Sequence, residues 1–580
     1  MSNSHEEPRE EKAEIEHVDH PTDVVQDDAF YEGVPEPTLT LKVYLAMSAI
    51  VVLNFAQLFC LLGLNANGRF IAAIVGGADK TIWLGQSVAT GTAVLSPIFA
   101  KASDLWGRRW ILVIAMTFGA IGSIIISRCT SMNMAIVGSS IAGVSYGVQP
   151  LLFAVPAEIV PRKHRSAAIA LANIAAGLGG ICGILIGGAL TEGGNADNIR
   201  IYFYITTGLF AFAAITTFLT YHPPVRSSQI QGSITAKLRM MDWTGYTLFG
   251  IFLVLLNISL SWADNPYPWD SAHVLAPLCI SIAFGLALIA QQVKFNRHDS
   301  MFDRRLFSTS RNAALGILLI WVDGLVFFVA SSYLPQLLSV VYEPNEMLVS
   351  VRFSFLFLGS LPLMVLVGWY AGRFRDLRTP GAVGFIGFTI FGACLAAATV
   401  DQNDAIWGYT VFACLGQAGT LIAVFAAAQF GSPAELIADL TALLISMRSF
   451  GGSVGLGVCS AIFSSESGKK IGPSVAKRVL PLGFPVTSLG PFIGAVSSFH
   501  FDQLASIPGI SPQIIQQGVL GFKEGFLQAQ RGLWILMAAL AFVAAVIFVF
   551  ISNHKEEYSD SIDAPLAVRE EEAVGAKTSA

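Results

Sequence analysis

Fourteen apolar runs of roughly 18–25 residues, each long enough to cross a bilayer as a helix, constrain this chain more than any other feature. They fall near 43–63, 81–100, 110–127, 134–156, 166–190, 201–220, 244–262, 274–292, 312–334, 349–371, 381–400, 406–428, 441–463 and 532–552. Inside lipid a helix satisfies its own backbone hydrogen bonds, so the runs predict an all-α polytopic membrane protein. Only 13% of the 580 residues are charged, against about 25% in soluble chains, and mean hydropathy is +0.61. The net charge of −5 does not signal an acidic binding surface, because much of the acid sits in the tails Glu6–Glu36 and Glu556–Glu572. These tails, 1–40 and 554–580, are poor in aromatics and are expected to be disordered. No basic-then-apolar leader precedes the first run, which is expected to act as its own insertion signal.

Charge placement predicts orientation. The even-numbered connections carry Lys101, Arg108, Arg109, Arg162, Lys163, Arg165, Arg226, Lys237, Arg239, Lys294, Arg297, Arg304, Arg305, Arg311, Arg373, Arg375 and Arg378. The short odd-numbered ones offer only Arg69, Lys80, Arg128, Arg200 and Arg352. Cationic loops stay cytoplasmic, so both termini are expected inside and the span count is even. The long connection 464–531 carries Lys469, Lys470, Lys477 and Arg478 yet falls outside, as long loops translocate regardless of charge. Pro481, Pro485 and Pro491 argue for short helices over that face rather than a fifteenth span.

The connection after span two reads AKASDLWGRR, Ala100–Arg109. It holds an acid, a glycine and two arginines between two apolar runs, the residue types needed by a hinge that slides one helix past another. Gly107 permits close approach, Asp104 accepts hydrogen bonds, and Arg108 and Arg109 anchor to the cytoplasmic side. After span ten, GWYAGRFRDLR echoes it, with Gly368, Gly372 and Arg373 spaced as Ala100, Asp104 and Leu105. The echo predicts two six-span halves, 41–222 and 301–553, with spans seven and eight inserted at 223–300. Duplicated halves around a midplane site are a common solution for alternating access.

Ionisable groups inside spans are costly, so each calls for an explanation. Asp323, in ILLIWVDGLVFF, is the carboxylate in the middle third of a span and is a candidate for proton or substrate coupling. Arg448, a second candidate for proton or substrate coupling, and Asp439 lie near the start of span thirteen, where a gate contact competes with simple snorkelling. Asn54, Gln57, Gln86, Asn173 and Gln417, with Phe55, Trp83, Phe153, Trp321 and Tyr333, are candidates to line an apolar cavity for a bulky, weakly polar ligand. The competing reading is lipid-facing rings and interhelical hydrogen bonds. Seven cysteines lie mostly within apolar runs without a CxxC or Cys/His cluster, so neither a disulfide framework nor a metal site is expected. No GxxxxGK[ST] loop is present, which speaks against ATP as the energy source, and no HExxH or Ser/His/Asp set points to an enzyme. Asn257-Ile-Ser fits a glycosylation sequon but lies inside span seven.

AKASDLWGRR resembles the loop between spans two and three of the major facilitator superfamily, with Ala100 and Leu105 departing from its pattern. Span five resembles the G-x-x-x-G-P-x-x-G-G element of antiporter branches: Gly179, Gly183, Gly187 and Gly188 match, and Ile184 replaces the proline. Ser139 stands where many relatives carry a membrane-embedded arginine in span four. The exit PAEIVPRKHR (Pro156–Arg165), MFDRRLFSTSRN (Met301–Asn312), SSYLPQLLSVVY (Ser331–Tyr342) and the stretch Ser432–Gly455 are similar to fungal fourteen-span trichothecene-efflux-pump-like transporters, themselves related to siderophore transporters. The resemblance implies a major facilitator fold without cofactors that exports a toxin, drug or secondary metabolite as a monomer in exchange for protons. It places the protein in the plasma membrane, or alternatively the vacuolar membrane, and implies no nucleic-acid partner. The alternatives are siderophore-iron uptake, for which His500 is the one external histidine to note, and a non-transporting metabolite sensor.

Overall fold

Among the described residues the apolar runs fold as helices, because in the absence of water the i→i−4 ladder is the cheapest way to pair every amide. The computed structural model describes residues 41–553 apart from 153–154, 156–164, 193–194, 223–233, 265, 295–300, 302–303, 310, 431, 433–435 and 498–506. Among the described residues, fourteen helices are long and apolar enough to span a membrane. They are α1 (Leu41–Val75), α2 (Ile82–Trp106), α3 (Arg108–Ser127), α4 (Met132–Leu152, α-helical to Gly143 and then a 3-10 turn), α5 (Arg165–Thr191), α6 (Ile199–Thr220), α7 (Trp243–Trp262), α8 (Ala272–Lys294), α9 (Arg311–Leu337), α10 (Glu346–Phe374), α11 (Arg378–Ala397), α12 (Asn403–Gln429), α13 (Ile437–Val479) and α14 (Pro512–Phe548). Phe153, His500, both tails and residues 156–164 lie outside the described residues.

The packing is duplicated. In the first half α1 packs on α5 and α6, α3 on α4 and α6, and α2 on α4. In the second, α9 packs on α13 and α14, α11 on α12 and α14, and α10 on α12. The halves meet where α2 lies on α13 and α5 on α10. The inserted helices α7 and α8 pack on each other, and α7 also rests on α13 and α2.

The connection echo marks a repeat of geometry. Stepping on from Ala100 and from Gly368 by the same count reaches Gly107 (φ 90) and Arg375 (φ 52), the positive-φ residues that end α2 and α10. Glycine adopts such angles freely, whereas an arginine there carries a small strain. Side-chain caps start other helices: Asp242 Oδ1 accepts from Gly245 N at 2.8 Å, and Asn345 Oδ1 from Leu348 N at 3.0 Å.

The segment 464–531 departs from the expectation of short helices alone. α13 runs for 43 residues and α14 for 37, about 65 and 55 Å, against a hydrocarbon layer about 30 Å thick. Their extensions form a hairpin with its own core of Val475, Val479, Phe484, Phe492, Ile514 and Phe522. Arg478 donates to Glu524 at 2.6 Å and to Gln517 at 2.9 Å across it. Pro473 lies within α13 without ending it. The prolines at 481, 485 and 491 instead mark the 3-10 turns and the short helix Leu489–Ser497 that join the two arms. The signal for the hairpin is the glycine row on α14: Gly518 seats Phe492, and Gly521 and Gly525 seat the backbone of α13.

Glycine also sets the tightest contacts within the membrane region. A Cβ at Gly179 would collide with the Phe55 carbonyl and one at Gly183 would lie 2.7 Å from that of Phe59, so α5 rides directly on the α1 backbone. α13 rides on α9 in the same way: a Cβ at Gly451 would collide with the Trp321 carbonyl, and one at Gly455 would lie 2.6 Å from Leu325. Gly208 on α6 has open space around it. Gly179→Val and Gly451→Val are therefore expected to lower the melting temperature of the detergent-solubilised protein by several degrees, while Gly208→Val changes it little; equal melting of all three would contradict this packing.

Candidate functional site

Asp323 lies midway along α9 and is completely buried. Its Oδ1 accepts from Thr420 Oγ1 of α12 at 2.5 Å, and its Oδ2 accepts from Arg448 Nε of α13 at 2.7 Å. The guanidinium carbon of Arg448 lies 4.6 Å from the centre of the Phe327 ring, one helical turn along α9. Arg448 Nη2 is buried and has no hydrogen-bond partner in the structure. Glycine makes the pair possible, because a Cβ at Gly324 would overlap the Arg448 carbonyl. Arg448, half-buried, is thus the counter-ion of a fully buried carboxylate and not a cation snorkelling from the helix start. As a pair the two groups are neutral; adding a proton to Asp323 would leave Arg448 uncompensated in a low-dielectric setting, a large electrostatic signal from one small event.

The first half repeats the scaffold without the charges. Two residues beyond Trp321 and Phe55, the carbonyls under Gly451 and Gly179, stand Asp323 and Gln57. Three residues before those glycines stand Arg448 and Ala176. Gln57 is fully buried and its Nε2 donates to the Ser145 carbonyl of α4 at 2.7 Å. That carbonyl lies where α4 tightens into a 3-10 turn, Val144–Val148, and the Gln149 amide bonds back to Tyr146. Tyr146 and Tyr202 donate to the carbonyls of Gln57 and Phe59 on α1. Gln57 Oε1 has no partner.

The other candidates separate into groups. Gly187 seats Asn67 of α1, while Gly188 seats Ser350 of α10 and so belongs to the contact between halves. Gln86 is fully buried at the junction of α2, α7 and α13. Trp321 meets Phe450 edge-on, and buried Tyr333 meets Phe463 in the same way. Gln417 is buried on α12, Asn54 is half-buried on α1, and Asn173 is exposed on α5. These three are not brought to the Asp323–Arg448 pair by any contact described above.

At the hinge connections, Asp104 ends α2 half-buried and Arg108 is buried at the start of α3. Arg109 Nη2 donates to the Phe218 carbonyl at the end of α6 at 2.6 Å, with its guanidinium 5.1 Å from the Phe218 ring centre. In the second half Arg373 is exposed, and the equivalent tie is made by Arg378, whose Nη2 and Nε donate to the Ile551 carbonyl just beyond α14 at 2.6 and 2.9 Å. Asp376, which the sequence did not single out, accepts from Asn553 Nδ2 at 2.7 Å and from the Arg378 amide at 3.0 Å. Partial burial raises its pKa, but the hydrogen bonds from Thr379, Asn553 and Arg378 outweigh this and hold the carboxyl below the ordinary range. Thr420 also went unmarked in the sequence, being a neutral hydroxyl in an apolar run.

Removing one member of a buried ion pair costs about 3–5 kcal/mol. Asp323→Asn and Arg448→Gln are each expected to lower thermal stability, and the double variant to recover most of the loss; additive losses would mean the pair is not coupled. A carboxyl with a depressed pKa contributes stability above its unfolded value and loses it as pH falls through the folded one. Asp376→Ala is therefore expected to melt below the parent near neutral pH, with the difference closing in acid below about pH 4.

The profile of the Major Facilitator Superfamily matches residues 47–456. The "Acurin A biosynthesis cluster MFS-type transporter" of Aspergillus aculeatus is 26% identical over 451 residues, 75% of this chain and 78% of that one. The "Efflux pump FUS6" of Gibberella moniliformis is 21% identical over 495 residues, 83% of each chain. The inward-facing, unoccupied structure of a bacterial homologue of the human lysosomal transporter Spinster covers 88% of this chain and 98% of its own at a TM-score of 0.56 and 14% identity, a likeness of fold. With fourteen apolar helices in two six-helix halves and two inserted, this chain belongs to the major facilitator superfamily and is a multi-pass membrane transporter.

Proposed function

We propose that the protein exports an organic toxin, drug or secondary metabolite in exchange for protons, with Asp323 as the proton acceptor and Arg448 as its switchable counter-ion. The observation that carries the reading is the buried Asp323–Arg448 ion pair, closed by Thr420, at the packing of α9, α12 and α13. Protonating Asp323 frees Arg448, whose Nη2 already has no partner, and the change in charge moves α13 relative to α9. One proton crossing 100 mV supplies about 2.3 kcal/mol, enough to support a modest substrate gradient. The names of the relatives above, one an efflux pump and one from a biosynthetic cluster, favour an exported metabolite.

The cationic even-numbered connections favour cytoplasmic termini, with the protein acting as a monomer in the plasma membrane. On that orientation Arg69–Glu346 and Gly188–Ser350 join the halves at the outer face and hold that face shut. Substrate then loads from the cytoplasm and leaves when the halves rock about the midplane.

The test uses inverted vesicles holding an imposed pH gradient, read by a pH-sensitive dye as candidate metabolites are added. A substrate is expected to dissipate the gradient with the parent protein and not with Asp323→Asn. Undiminished exchange by Asp323→Asn would remove Asp323 from the coupling, and iron-dependent uptake by right-side-out vesicles would overturn export.

A further inference from the structure

The inserted helix α7 is more than a spacer between the halves. Asn257, one turn before its end, is buried against α2 and α13 together. Its Nδ2 donates to Thr90 Oγ1 at 2.9 Å and to Ser453 Oγ at 2.5 Å, and its Oδ1 accepts from Gln86 Nε2 at 3.0 Å. Gln86 Nε2 also reaches the Ser453 carbonyl at 3.4 Å, and Gln86 Oε1 accepts from Ser261 of α7 at 3.0 Å. Thr90 and Ser453 hydroxyls lie 2.7 Å apart. Both hydrogens of each amide and both carbonyl oxygens are thereby used, which is the condition under which a buried polar network rigidifies a structure instead of weakening it. Gln57 and Gln530, buried amides whose side-chain oxygens lack a partner, show that such closure is not automatic in this fold.

The network is sited on the seam. Gln86 and Thr90 belong to the first half, Ser453 to the second, and Asn257 and Ser261 to the insertion. α7 follows that seam further: Gly250 faces Val94 of α2, and Phe249 and Phe252 meet Phe450 of α13 edge-on at 5.8 and 5.9 Å. Gly457 gives Leu260 and Gln86 room to approach. Ser446 Oγ adds a bond from α13 to the Ala93 carbonyl of α2 at 2.5 Å.

We propose that α7 is a polar clasp on the seam, and that Asn257 sets the balance between the closed and open arrangements of the face opposite the chain ends. Parting α2 from α13 on that face breaks bonds at Asn257, Gln86, Thr90 and Ser453 together, so the clasp favours the closed arrangement. The inference rests on the rocking motion proposed above but not on protons or on any substrate.

Spin labels at exposed Ala73 on α1 and exposed Leu348 on α10, beside the Arg69–Glu346 pair, report the separation of the halves at that face. The measurement is a distance distribution by pulsed electron paramagnetic resonance on the full chain in lipid nanodiscs at one pH, with accessible cysteines replaced. Asn257→Ala is expected to raise the ratio of the long to the short distance by about tenfold, the change given by loss of one or two net hydrogen bonds. Thr90→Val, nearly isosteric, is a second variant should Asn257→Ala fold poorly, and is expected to shift the ratio in the same direction by less. Ser259→Ala removes a bond to Val274 within the inserted pair and is expected to leave the ratio unchanged. An unchanged ratio in the folded clasp variants, or the same shift in Ser259→Ala, would overturn the clasp. No gradient is imposed, so failure of the Asp323 coupling would leave this result intact.

Discussion

The seating of α13 directly on the backbone of α9 is the contact on which the candidate site depends. Glycines 324, 451 and 455 remove the side chains that would hold the two helices apart. Only at that separation can the short Asp323 side chain meet the Arg448 Nε at 2.7 Å with a third helix supplying Thr420. In lipid, where no hydrophobic force drives one apolar helix onto another, close approach and polar contacts do the assembling. Here the first enables the second.

Duplication followed by divergence explains why the site is one-sided. Both halves keep the glycine seats, and both place a polar residue two positions past the first seated carbonyl. In the second half that residue is Asp323, answered by Arg448; in the first it is Gln57, with Ala176 opposite. The first half fills its need with neutral hydrogen bonds from Gln57, Tyr146 and Tyr202. At these seated backbones the charge is therefore confined to the second half, where α9, α12 and α13 meet.

Much of this was legible in the sequence, for reasons that also mark its limits. All fourteen spans were readable because length and hydropathy are local properties. Asp323 was readable because a carboxylate in an apolar run has no cheap explanation. Arg448 was a coupling candidate too, but its pairing with Asp323 was not legible, since nothing local reveals that α13 begins as early as Ile437 and brings that side chain to α9. Thr420, Thr90 and Ser453 gave no signal, being neutral and far apart along the chain, while Gln86 was read as a cavity candidate and Asn257 stood out only as an unusable sequon. At the second hinge the echo pointed to Arg373, but the turn falls at Arg375 and the tie to α14 at Asp376 and Arg378, because α11 starts two residues later than the echo alone implies.

The unbroken length of α13 has a mechanical consequence. Val479 lies 31 residues beyond Arg448 on the same helix, about 45 Å away at 1.5 Å per residue. A rigid rod pivoting by about 10° at Arg448 would carry that far end sideways by about 8 Å, given the same rise per residue. On such a pivot the hairpin joined to it, cross-tied by Arg478 and Glu524, would act as the pointer of a lever with the ion pair as its fulcrum. A sub-ångström rearrangement at the centre of the membrane is legible, greatly magnified, in the solvent beyond it.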